Sequence, residues 1–347
     1  QGFPFLPSGC HMQLDAVATG EVLRNLRESL PNTFPARAAE LRRVAEEYDR
    51  PTLSRFLAES GLPLEDVYAG NHCWSDLLAA GGLATLPAGS QEVVLRRALG
   101  RLLHVDDEER IARWRHWVSA NAPPAVASLS LRERRLLHML LGTLVETADA
   151  GDDTLEAAVH LLWQHPQVLA ELCELLDVLR VRIDHVHAPL ACRPNAPLQL
   201  HARYTRREIL ASLGDASGVR LPLWQAGVLW LPAERLDVFV FTLDKSGGRF
   251  SPTTRYRDYA VSPSLIHWES QSATREESET GQRYQHHEEQ GTTVLLFARL
   301  SPDDRAFWCL GPARYRSHEG DRPMAIHWEL DTPLSGDLFA QFAAAVA

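Results

Sequence analysis

The chain has 347 residues, more than one typical core requires, so two domains are expected. Its 45% hydrophobic and 23% charged residues describe a globular protein, and no apolar run approaches the roughly 20 residues that span a bilayer, so no membrane partner is expected. Thirty-five basic against 45 acidic residues give a net charge of −10, which excludes a strongly basic footprint and counts against tight, sequence-independent DNA binding. The N-terminus lacks a basic region followed by an apolar one, so no signal peptide is read there. Because the chain begins with Gln, it is expected to be an excised or processed piece of a longer protein. Five widely spaced cysteines without a CxxC pair point to reduced thiols in the cytoplasm and away from a zinc ribbon. One basic residue is lysine, Lys245, and the other 34 (35 minus 1) are arginines, the usage of a GC-rich genome.

Residues 14–185 read as a nearly continuous series of short helices. LDAVATGEVLRNLRESL ends before Pro31, and FPARAAELRRVAEEYD starts with Pro35 in its first turn and stops before Pro51. Thr52 caps TLSRFLAESG, which stops at Gly61, and SDLLAAGG is closed by Gly81 and Gly82. QEVVLRRALGRLLHV, DDEERIARWRHWVSA and SLRERRLLHMLLGTL are three more amphipathic helices, and Pro166 divides LEAAVHLLWQHP from QVLAELCELLDVLRVRI. Together they predict an irregular helical array. DHVHAPLACRPNAPLQL, with three prolines, reads as the linker between a helical region (residues 1–190) and a second domain (residues 200–347).

After one further helix, YTRREILASLG, the pattern changes to short β-branched and aromatic runs. These are VLWLP, DVFVFTL, TTVLLFARL, AFWCLGPARYRSH and MAIHWEL, each bounded by Gly, Pro or Asp, and GDLFAQFAAAVA closes the chain as a helix. The fold class expected is α+β: a helical region, then a mostly antiparallel sheet or partial barrel with flanking helices.

Between Thr242 and Tyr284 the chain concentrates hydroxyls, guanidinium groups, imidazole and flat rings, the groups that hold nucleotides and phosphates. In FSPTTRYRDY, Thr253, Thr254 and Arg255 suit a phosphate, and Tyr256 or Tyr259 suits a stacked base; the plainer alternative is an Arg–Asp pair with the tyrosines in a core. In HWESQS, Trp268 offers a stacking face of about 1–3 kcal/mol per base, Gln271 can read a base edge, and Ser270 and Ser272 can bond phosphate oxygens. The alternative there is a strand with a core tryptophan. The repeat of IHWE at 266–269 and 326–329 favours that alternative, because two matched strands produce it by packing. In TGQRYQHH, Arg283 and Tyr284 follow an acidic loop and could close over a strand, or belong to a solvated loop. His185 and His187 share one face of an extended run, yet no carboxylate or thiol completes a metal spacing, and no metal site is assigned. No catalytic residue is assigned either; a nuclease built on Asp258, Glu269 and His267 would lack a lysine at the usual spacing.

The order YTRREILASLG, VLWLPAERLDVFVFTLDKS, FSPTTRYRDYAVSPSLIHWESQS, TGQRYQHH, VLLFARL, LGPARYRSHEGDRPMAIHWEL resembles domain-of-unknown-function family 3427, found at the C-termini of bacterial superfamily 2 helicase-like proteins. GFPFLPSGCHMQLDAVATGEVLRNLRESL is similar to the segment that follows the helicase core in those proteins. The resemblance implies a cytoplasmic, DNA-processing role in restriction, defence or repair. The implied partners are DNA, the helicase core of the same polypeptide, and a nuclease domain or subunit. This sequence has neither a GxxxxGK[ST] phosphate loop nor a DEAH-like motif, so ATP and Mg are expected only on the helicase core and no cofactor in this chain. The expectation is therefore a non-enzymatic DNA reader, including of modified or distorted DNA. A protein-interaction module docking on the helicase core is the alternative, and a metal-dependent nuclease the second.

Overall fold

The computed structural model describes residues 32–86, 88–120, 122–243 and 258–346. The expected helix over LDAVATGEVLRNLRESL, Lys245, and Thr253, Thr254, Arg255 and Tyr256 lie outside them. The chain divides into two compact units after Leu86.

The first unit contains α1 (Phe34–Tyr48), α2 (Leu53–Ser60), α3 (Leu64–Val67) and α4 (Trp74–Ala80). The side chains of Thr33 and Thr52 accept the amides of Ala36 and Arg55, capping α1 and α2, and Gly61 ends α2 in the left-handed region (φ 68°). Leu41, Val44, Phe56, Trp74 and Leu77 form its core, with the rings of Phe56 and Trp74 5.4 Å apart.

The second unit begins with α5 (Glu92–Leu99), α6 (Glu108–Ser119), α7 (Leu131–Leu144), α8 (Leu155–Trp163) and α9 (Pro166–Val181). A two-stranded ribbon follows, β1 (Ala188–Pro189) with β2 (Gln199–Leu200), then β3 (Arg203–Thr205) and α10 (Arg206–Leu213). The main sheet adds β4 (Val228–Leu231), β5 (Leu236–Thr242), β6 (Tyr259–Ser262), β7 (Leu265–Glu269), β8 (Thr293–Arg299), β9 (Ala306–Glu319) and β10 (Ala325–Leu330). α11 (Glu279–Gln285) precedes β8, and α12 (Gly336–Val346) ends the chain. The strand order is β4-β5-β8-β9-β10-β7-β6, with β3 also on β9; β5 and β8 run parallel and every other pairing is antiparallel. The expected α+β class is what the structure has, with an open sheet and no closed barrel among the described residues. No helix among them is long and apolar enough to cross a membrane.

The repeated IHWE motif is a register effect. β7 and β10 are antiparallel neighbours, and Ile266 faces Trp328, His267 faces His327, and Trp268 faces Ile326. Period-two alternation sends Ile266, Trp268, Ile326 and Trp328 into the core and both histidines to the other face. Phe239 anchors that core, stacked on Trp268 at 4.3 Å and edge-on to Tyr284 and Trp328, while Leu338 and Phe342 of α12 complete it. Gly311 sits at the bulge of β9 with φ 90°, a backbone conformation that favours glycine, and a Cβ there would also press on Leu200 Cδ2 at 2.5 Å.

The expected boundary near residues 190–200 is not where the compact units part. The proline-rich segment is tied to the helices before it: Arg132 donates to the carbonyls of Pro194 and Ala196 at 2.6 and 2.7 Å. The stronger tie is a buried charge network. Arg110 is fully enclosed and donates to Asp107, to Glu208 at 2.7 Å and to the Arg203 carbonyl at 2.7 Å, with the Tyr204 ring 4.1 Å beneath it. Asp106 accepts the Arg203 backbone amide and guanidinium at 2.9 and 2.8 Å, and His104 Nε2 meets Glu208 at 2.6 Å. Each charge has partners, the condition under which buried ions persist. Because these partners lie about a hundred residues apart in sequence, α6 and the β3–α10 segment fold as one body.

Glu208 reports on this network. Burial favours its neutral form, but His104 and Arg110 outweigh burial and hold the carboxyl down at about 2, from an ordinary 4.5. A depressed carboxyl contributes stability above its unfolded value and loses it as pH falls toward the folded value. The contribution is about 3 kcal/mol at neutral pH, of which about 2 kcal/mol is gone by pH 3. Urea titrations at pH 7 and pH 3 should show this difference, and Glu208→Gln should make the pH dependence shallower.

Candidate nucleic-acid interface

A cleft of about 600 Å³ opens against the sheet where β4, β5 and β7 approach the loop after β7. Its walls include Val228, Phe241, Asp258, Gln271, Ser272 and the edge of Trp268, with Arg206 and Arg299 at its rim. A second cleft of about 430 Å³ shares Arg206 and Arg299 and adds Arg101, Arg207 and Arg305, with Glu146 as its acid.

The two shared, part-buried arginines are held differently from Arg110 and Arg283, which are paired with carboxylates. Arg206, at the first position of α10, lies over Phe307 and Trp224 at 5.4 and 5.8 Å. Among the described residues its guanidinium has no hydrogen-bond acceptor, and its Nε is enclosed without a partner. Burial, and then Arg299, push its pKa below the ordinary value. Arg299, the last residue of β8, lies over the same Phe307 ring at 4.8 Å and donates to Thr242 Oγ1 at 2.9 Å and to the Asp304 carbonyl. Burial lowers its pKa as well, opposed by Asp304 and Asp303. Both guanidinium groups stay charged at neutral pH. Two neighbouring cations on one aromatic ring, without a bound carboxylate among the described residues, form a place where an oxyanion is stabilised.

The structure separates the residues expected from sequence. Gln271 and Ser272 both line the first cleft, and the Gln271 side chain is exposed. Trp268 is 4% exposed and carries Phe239 on its face, so it is core, with one edge toward the cleft, and offers no open stacking platform. Ser270 is buried and its hydroxyl accepts the Met324 amide at 2.9 Å, pinning the end of β7 to β10, so it does not face a phosphate. Tyr284 is 2% exposed inside the aromatic core. Arg283 forms a two-pronged pair with buried Asp237, at 2.8 and 3.1 Å, over the Trp230 ring, so its charge is already matched. Tyr259 lies on the opposite sheet face from Trp268, its ring stacked on His267 at 4.6 Å. Asp258 lines the cleft and accepts the Glu269 amide at 3.0 Å, while His267 is on the other face. No group of three or more metal-type ligands occurs among the described residues.

Residues 198–342 match the family model described as domain of unknown function (DUF3427). No curated protein matches the chain. The DUF3427 region begins at Leu198, just before β2, and ends at Phe342 in α12, both fully buried. It includes all the strands of the main sheet and the whole of the first cleft. Arg101, Thr143 and Glu146 of the second cleft come from the helical part of the chain that precedes the DUF3427 region, Glu146 from the turn after α7.

Sequence reasoning missed Arg206 and Arg299. A signal existed for Arg206: it and Arg207 occupy the first turn of α10, where the helix dipole disfavours cations and acids are the usual choice. Arg299 is the sole charge in TVLLFAR, at the end of a buried strand.

Proposed function

We propose that the DUF3427 region binds DNA in its arginine-rimmed cleft and reads it there, including modified or distorted forms. The observation that carries this reading is the Arg206–Arg299 pair: two adjacent cations without a carboxylate partner among the described residues, in a chain of net charge −10. The guanidinium groups suit phosphate oxygens, which position a strand, and Gln271 with Ser272 suits a base edge, which specifies it. In this reading the chain is the non-motor part of a bacterial, cytoplasmic helicase-like protein, acting in restriction, defence or repair. Its helicase core is the partner in the same polypeptide, and the chain itself turns nothing over.

Fluorescence anisotropy with single-stranded, duplex and base-modified duplex oligonucleotides at low salt tests this directly. One form should bind best, and Gln271→Ala should reduce the preference for it by about 1–3 kcal/mol while leaving folding intact. A folded protein that binds none of these forms would reject the DNA reading.

A further inference from the structure

The second cleft joins the DUF3427 region to the preceding helices and has a feature the first one lacks. Glu146, just beyond the end of α7, bridges two of its arginines: Arg101 Nη1 at 2.8 Å from one carboxylate oxygen and Arg207 Nη1 at 3.0 Å from the other. All three side chains are about one-third exposed. Arg206, Arg299 and Arg305 line the same space, and Arg305 is exposed. Five arginines therefore line a cleft with one carboxylate among its lining residues, and two of them pair with it. Partly exposed ion pairs of this kind are weak and exchange readily with solvent.

Thr205, Arg206 and Arg207 bring the first turn of α10 into the cleft, adding the positive end of its dipole. Thr205 Oγ1 already accepts the Glu208 amide, and Glu208 is held by Arg110 and His104, so this turn is fixed from behind. Phe307 holds Arg206 and Arg299 from below. The site is thus built before any ligand arrives, with Glu146 as its part-exposed acid.

The geometry points to a phosphate site in this cleft, with the Glu146 carboxylate as its internal competitor. A phosphate group takes the bridging position of Glu146 and also reaches Arg206, which the carboxylate leaves without an acceptor. That the phosphate belongs to a DNA strand running out of the first cleft rests on the reading above; a free phosphate is the other source of the same chemistry.

Two measurements on the whole chain separate these. The first is thermal unfolding in sodium phosphate against sodium chloride at equal ionic strength. The second is anisotropy with a labelled oligonucleotide. Phosphate should raise the melting temperature of the unaltered chain, and Arg206→Gln should remove that protection. Glu146→Gln should increase the protection and tighten the oligonucleotide about five- to tenfold, while Arg305→Gln, at an exposed position, should weaken it several-fold. Phosphate protection that follows this pattern without any DNA binding would uphold the site and reject the DNA reading. DNA binding that is the same in folded Glu146→Gln and Arg305→Gln as in the unaltered chain but weaker in Arg206→Gln, with no phosphate protection, would overturn the site and leave the DNA reading standing.

Discussion

Arg110→Ala should destabilise the second unit by about 3–5 kcal/mol, measured by chemical denaturation. The loss exceeds that of an ordinary surface pair because three acids remain behind. Asp107 and Glu208 are fully enclosed, and Asp106 is nearly so. Removing the cation leaves their charge buried and poorly matched, while the Arg203 carbonyl loses its donor. Tyr204 also loses the guanidinium that lies over its ring. Because the network joins α6 to β3 and α10, the helices and the sheet should unfold together in one transition. A double change, Arg110→Met with Glu208→Gln, should recover part of the loss by removing one stranded charge with the cation.

Trp268→Ala should be comparably damaging, about 3–5 kcal/mol, because a large enclosed ring leaves a cavity that its neighbours fill only in part. Phe239 loses a stacked partner at 4.3 Å and Tyr284 a ring 6.0 Å away. Trp268→Phe keeps most of the contact and should lose much less. The outcome separates two roles for this residue. A stacking platform would weaken oligonucleotide binding by about 1–3 kcal/mol and leave the unfolding midpoint unchanged. A core residue shifts the midpoint strongly, and the structure requires the latter.

Local signals made much of the fold readable. Thr52 and Gly61 mark the ends of α2, and Ser130 with Glu133 forms the capping box of α7. The alternation in LDVFVFT and TVLLFAR is obscured, since both strands are buried along most of their length, yet their β-branched and aromatic content still marks them as strands. Where the compact units part was not readable in this way. The chain has proline punctuation once in LATLPAG and three times in APLACRPNAP, yet the units part at the former, and the difference lies in partners remote in sequence, such as Arg110 with Glu208 and Arg132 with Pro194. The same distance hid Arg206 and Arg299, which are 93 residues apart in sequence but share Phe307.

The HWESQS run shows the limit from the other side. Its composition is that of a binding site, but strand alternation assigns its members to different tasks. Trp268 goes inward, His267 goes outward, and Ser270 ties β7 to β10. Gln271 and Ser272, past the end of the strand, are exposed and line the cleft beside Glu269 and buried Trp268. A composition-based reading weighs all of them alike, because it has no register.

The most direct measurement is the salt dependence of oligonucleotide affinity for the unaltered chain and for Arg206→Gln/Arg299→Gln. If these arginines hold phosphates, the double variant should remain folded, bind more weakly, and show a slope of log affinity against log salt reduced by about 2. A folded double variant with the same affinity and the same slope as the unaltered chain would contradict a DNA interface at these clefts.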